Sequence, residues 1–181
     1  HEYLKGVVKT LPEKWKIIFP NPQNGPARFL GTTYFVDFPH LRLIAIDTDG
    51  LHRMSDYTQV AFWLKKTLRE AGDKFTIVMM HHPVYSTAKG RQNPLMWLTF
   101  YGAMREADVV FSGHDHNYAR RTEYYKERFW KKEEPTVFIA TNASKKNYPI
   151  KENTRYDYSF SGEPVYEYVQ ITSNAVHIGT Y

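Results

Sequence analysis

The chain contains no cysteine. That excludes disulfides and any thiolate metal site, and it leaves the redox compartment open. It has no apolar run approaching the roughly 20 residues that a membrane-spanning helix needs, so no membrane partner is expected. Strong charge of one sign is also missing. Lys and Arg total 24 against 19 Asp and Glu, a net charge of +5 spread along the chain, which gives no reason by itself to expect a nucleic-acid surface. A secretory leader is not visible, but residue 1 is histidine rather than methionine, so that absence carries no information.

What is present suits a folded domain: 181 residues, of which 42% are hydrophobic and 16% aromatic, are enough for one core. The segment from Pro20 to Gly31, rich in Pro, Asn and Gly, reads as a loop. Thr33–Phe38 and Leu41–Asp47 read as a hairpin around Pro39-His40. Val60, Trp63, Leu64 and Leu68 recur at helical spacing between Asp56 and Ala71, with Ser55 or Asp56 as N-cap and Gly72-Asp73 as the stop. The continuous run Phe75–Met80 predicts a buried central strand. A second helix is expected from about Pro94 to Glu106, followed by a buried strand Val109–Ser112. This alternation points to a mixed α/β fold with a mostly parallel, helix-covered sheet. Pro135–Thr141, Val165–Thr172 and Val176–Tyr181 read as further strands of antiparallel character, and the charge-mixed Arg120–Glu134 as a solvated excursion.

Both central strands run straight into histidine. His81-His82-Pro83 follows the first, and Gly113-His114-Asp115-His116-Asn117 follows the second. Imidazole is the commonest metal ligand at neutral pH, and ligands of open α/β sheets gather beyond the carboxyl ends of strands. In extended backbone His114 and His116 would face one side, with α-carbons about 6.5–7 Å apart. His81 and His82, as neighbours, would face opposite ways, so one of them alone reaches the site; His82 is then read as a packing or supporting residue. Asp115 is read as a turn or supporting residue. Asp47 and Asp49 are read as loop caps, His40 and His177 as a turn and a strand residue. His52 and Arg53 are candidates for the substrate mouth, and Tyr85 and Arg120 stand between packing and site.

The pattern strand–His-His-Pro, about thirty residues, strand–Gly-His-Asp-His-Asn-Tyr-x-Arg resembles the calcineurin-like metallophosphoesterases, most closely their purple acid phosphatase-like branch, where Tyr118 and Arg120 also fit. His1-Glu2 resembles the middle of that family's Gly-Asn-His-Asp/Glu motif. The resemblance spans nearly the whole chain. It implies the C-terminal part of a four-layer αββα sandwich, so that residues 1–181 would form a single incomplete domain. It implies His81 and His114 on one metal ion, His116 on a second, and His1 as the acid that protonates the departing alkoxide. Two metal ions (iron, manganese or zinc) would then polarise a phosphate ester and activate water.

Asp-x-His, Gly-Asp-x-x-Asp/Tyr and the Gly-Asn preceding His1 are absent from this sequence. Without a bridging carboxylate, three histidines are not expected to hold a hard metal pair, so the chain by itself is expected to be inactive. Its expected partners are a missing N-terminal segment of the same protein and a phosphate-ester substrate. The resemblance favours a periplasmic or secreted location. The rival readings are a non-catalytic binding or structural protein that keeps the fold, and a nucleic-acid binder using Arg120–Lys132; the glutamates interleaved there speak against the latter.

Overall fold

The structure, a computed structural model, describes residues 11–124, 135–151, 156–172 and 175–181. Hydrophobic alternation organises it. In β3 (Phe75–Met80) Ile77 points to one side and Val78 and Met80 to the other. In β4 (Val109–Ser112) Val109 and Val110 divide in the same way. A strand with apolar residues on both sides needs a cover on both faces.

One cover is helical. α2 (Met54–Arg69) and α3 (Pro94–Met104) present Val60, Leu64 and Leu68, and Met96, Phe100 and Met104, to Ile44, Val78, Val110 and Phe138 of the sheet. Phe100, Leu64, Val60 and Met96 are fully buried there. The opposite face, with Ile77, Val109 and Ile139, packs against Val169, Ile171 and Ile178 of a separate hairpin, β8 (Glu167–Ile171) with β9 (Val176–Thr180). A short helix, α1 (Glu13–Ile18), precedes the sheet and buries none of its residues.

The main sheet has seven strands in the order β1-β2-β3-β4-β6-β5-β7. β1 (Tyr34–Asp37) and β2 (Leu41–Ile46) form the expected hairpin. β2, β3, β4 and β6 (Thr136–Ala140) are mutually parallel, with Ile44 opposite Val78, Val78 opposite Val110, and Val110 opposite Phe138. Four carboxyl ends therefore fall along one edge of the sheet. β5 (Tyr118–Glu123) and β7 (Tyr158–Phe160) complete it in antiparallel fashion. The mixed α/β expectation holds.

Several details differ from the sequence reading. β6 is parallel to β4 and antiparallel to β5, so its character is mixed. The start of the charged Arg120–Glu134 stretch is strand, because β5 is paired on both sides and backbone pairing outweighs side-chain polarity there; residues 125–134 lie outside the described residues. α2 begins earlier than expected. Arg53 is its N-cap, and Asp56, in the first turn, takes the backbone N–H groups of His52 and Arg53 at 3.1 and 3.0 Å. Asp56 also pairs with Arg28 at 2.5 Å. No described helix is long and apolar enough to cross a membrane.

Candidate metal centre

Three of the parallel strands deliver side chains to one spot. Asp47-Thr48-Asp49 follows β2, His81-His82 follows β3, and Gly113-His114 follows β4. The ends of β3 and β4 are tied by the Gly113 N–H donating to the His81 carbonyl at 3.0 Å. The Thr48 hydroxyl fixes His82. It accepts the His82 backbone N–H at 3.0 Å and lies 3.0 Å from His82 Nδ1, so the other ring nitrogen is turned away from that contact.

His81, His82 and His114 converge, each offering a ring nitrogen within 4.8 Å of the others'. His81 Nε2 lies 3.1 Å from His114 Nδ1, and the His82 and His114 ring centres are 4.3 Å apart. Both members of the His81-His82 pair reach the cluster. The expectation that one alone can do so assumed strand geometry, and β3 ends at Met80.

His116 stands apart from the three. Its Nδ1 lies 3.1 Å from the Lys146 carbonyl, and its ring meets Tyr148 edge-on at 5.1 Å. His114 and His116 would share a side only on extended backbone. Both residues instead have positive φ, 67° and 52°. That left-handed conformation is uncommon away from glycine and gathers at functional turns. It winds the Gly-His-Asp-His segment tightly and sends the two rings to different neighbours. His116 is still near enough to bear on His81 electrostatically.

Asp115, between them, is fully buried. Its Oδ2 accepts from the Ser86 hydroxyl at 2.9 Å, the Thr87 N–H at 2.5 Å, the Thr87 hydroxyl at 3.1 Å and the Ala88 N–H at 3.2 Å. The Thr87 hydroxyl also meets the Asn117 side chain. The loop after β3 is thereby fastened to the loop after β4, and Asp115 is a strut. Asp47 accepts the Gly50 N–H at 2.9 Å, which closes the loop after β2, and burial raises its carboxyl to about 6. Tyr85 packs against Phe138 and Tyr101, with the Arg121 guanidinium above its ring, while Arg120 is exposed. His1 lies outside the described residues.

Burial keeps two imidazoles of the cluster uncharged. Burial, and after it His82 and Arg91, pull His114 from 6.5 down to about 4. Burial also lowers His81, opposed by a raising pull from Asp49. Both rings are therefore neutral at pH 7, and a neutral imidazole has the lone pair that coordination requires. The donor set fits one borderline metal ion on three imidazoles. Among the described residues, no carboxylate belongs to that group.

Three neighbours carry no motif signal: Arg91, Tyr148 and Lys146. The Arg91 guanidinium lies 2.8 Å from His114 Nε2 and stacks on Tyr148 at 4.4 Å, with the Lys146 ammonium 4.9 Å from the same ring. Buried Asn142, just beyond β6, shapes the loop of Lys146 and Tyr148 by donating to the Ser144 carbonyl at 3.0 Å and the Asn147 side chain at 3.1 Å. A pocket of about 360 Å³ opens beside the cluster, lined by His82, Arg91, Gln92, Asn93 and His114 among others.

Residues 6–118, more than half of the chain, match the family model described as calcineurin-like phosphoesterase. No curated protein matches the chain.

Proposed function

The chain belongs to the calcineurin-like phosphoesterase family, and from that membership we propose that the protein hydrolyses a phosphate ester in a metal-dependent reaction. The observation that carries the proposal is the convergence of His81, His82 and His114 at the carboxyl ends of adjacent parallel strands, within that family match. The branch proposed is the purple acid phosphatase-like one, on the run Gly113-His114-Asp115-His116-Asn117-Tyr118 with Arg120. The catalytic unit proposed is larger than residues 1–181. It draws its carboxylate ligands from a further segment, since Asp-x-His and Gly-Asp-x-x-Asp/Tyr do not occur here.

His81 and His114 would hold one ion, with His82 as a third imidazole donor beside them. His116 would serve a second ion once its ring leaves the Lys146 carbonyl. Metal ions of this class polarise the phosphoryl oxygens and lower the pKa of bound water. The remaining work falls to the chain itself. Thr48 orients His82, and Asp115 holds the two histidine-bearing loops in register. Burial keeps His81 and His114 deprotonated for coordination. His1 is the proposed acid for the leaving oxygen, a role suited to an imidazole titrating near neutrality.

The test uses the intact protein, stripped with chelator and reloaded with manganese, iron or zinc. Hydrolysis of 4-nitrophenyl phosphate or of its bis-ester is expected after reloading and not before. A reloaded protein that cleaves neither ester contradicts the proposal.

A further inference from the structure

Arg91 belongs to no motif, yet its side chain is held on three sides at the mouth of the imidazole cluster. One face of the guanidinium stacks on Tyr148 at 4.4 Å. Its Nε lies 3.8 Å from Asp115 Oδ1, too long for a hydrogen bond, and both atoms are buried without a hydrogen-bond partner among the described residues. Its Nη2 lies 2.8 Å and 3.0 Å from the two ring nitrogens of His114. About a quarter of the side chain is exposed, and that part faces the pocket.

This is a positioned cation with its hydrogen-bonding capacity largely unspent. A guanidinium offers five N–H groups, arranged to match oxyanions. Among the described residues, the side-chain hydrogen bonds of Arg91 run to the His114 ring alone. An imidazole engaged by a metal ion has no lone pair left for Nη2, so that N–H must find another acceptor in the pocket. Asp115 and Tyr148 would keep the side chain in place meanwhile, and Lys146 adds positive charge on the same ring.

We propose that Arg91 binds a terminal oxygen of the substrate phosphoryl group and biases the site towards phosphate monoesters over diesters. A monoester dianion carries about two negative charges on three terminal oxygens. A diester exposes one oxygen fewer and about half that charge, so a third fixed cation beyond two metal ions serves the monoester more. The inference rests on the phosphoesterase reading of the preceding subsection.

The test compares the intact, metal-loaded protein with Arg91→Met and Arg91→Lys. It uses 4-nitrophenyl phosphate, bis(4-nitrophenyl) phosphate and inorganic phosphate as probes, with metal content measured for each variant. Arg91→Met is expected to lower kcat/KM about 30-fold on the monoester and less than about 3-fold on the diester, the scale of one lost charge-assisted hydrogen bond. Inorganic phosphate binding should weaken by at least about tenfold, Arg91→Lys should recover part of both losses, and metal content should stay at the parent's level. Equal losses on the two esters, or unchanged phosphate binding, overturn the proposal. If the parent cleaves neither ester, the hydrolytic reading fails separately, and calorimetric binding of inorganic phosphate decides Arg91. Binding that Arg91→Met weakens upholds the contact, and binding that is absent or unchanged overturns it.

Discussion

Asp115 accepts the backbone N–H of Thr87 at 2.5 Å, so the loop that follows one histidine-bearing strand is fastened to the loop that follows the other. The same carboxylate oxygen also takes the Ser86 hydroxyl and the Ala88 N–H. Removing it leaves the backbone N–H groups of Thr87 and Ala88 without an acceptor in a buried place and takes one of two acceptors from each of the Ser86 and Thr87 hydroxyls. Asp115→Ala is therefore expected to cost about 2–3 kcal/mol in urea denaturation of the intact protein. A loss below about 0.5 kcal/mol, the range of ordinary surface changes, would show that the two loops hold without this strut.

Thr48 and His82 form a smaller device of the same kind. One hydroxyl contacts both the backbone N–H and Nδ1 of His82, which sets the direction of the ring. Partners that orient a ligating imidazole are worth roughly 10–100-fold in metal affinity. Thr48→Val, which keeps the shape and removes the hydroxyl, should weaken zinc or manganese binding by about tenfold in calorimetric titration. Its effect on folding should be modest. Unchanged affinity would mean that His82 needs no orientation or takes no part in binding.

The acid–base behaviour of the metal-free protein follows from two opposed groups. His114 titrates at 6.5 ordinarily and at about 4 in the fold. The unfolded chain therefore takes up this proton first, and stability is lost as pH falls from 6.5 towards 4. Asp47 titrates at 3.8 ordinarily and at about 6 in the fold, so its share of stability is lost as pH rises through that same interval. In denaturation at a series of pH values, Asp47→Asn should gain on the parent as pH rises from about 4 to 6 and then level off. His114→Gln should gain on the parent as pH falls from about 6.5 to 4. Flat differences across that interval would contradict both assignments.

How far the sequence disclosed this arrangement depends on range. Phe75–Met80 and Val109–Ser112 are largely apolar runs, interrupted by Thr76 and closed by Ser112, and such runs identify central strands without knowledge of their neighbours. The approach of His81 to His114 is readable for the same reason: His81 directly follows its run, His114 follows after Gly113, and parallel strands bring their ends together. His116 was harder. Its direction depends on left-handed backbone at His114 and at His116 itself, and alternation along a strand does not foresee that. The inclusion of His82 in the cluster is hidden likewise, because β3 ends at Met80 and the pair lies just outside strand geometry. Arg91 lies in one loop, and Lys146 and Tyr148 lie in another more than fifty residues on. Their meeting depends on the paths that Asp115 and Asn142 impose, and no local pattern records those paths. β5 was concealed by its charge, since strand pairing there is satisfied by backbone while Arg120 faces solvent.

The most direct measurement is hydrolysis by the intact protein carrying His114→Ala, with manganese, iron or zinc supplied. His114 meets His81, His82 and Arg91, which makes it the natural target within the proposed site. The parent should release 4-nitrophenol from a phosphate ester in a metal-dependent manner. His114→Ala should lower kcat/KM by about a thousandfold or more, the scale of about 4 kcal/mol of transition-state stabilisation, while the protein remains folded. An unaffected rate in the variant, or a parent with no metal-dependent hydrolysis, would contradict the assignment of this centre.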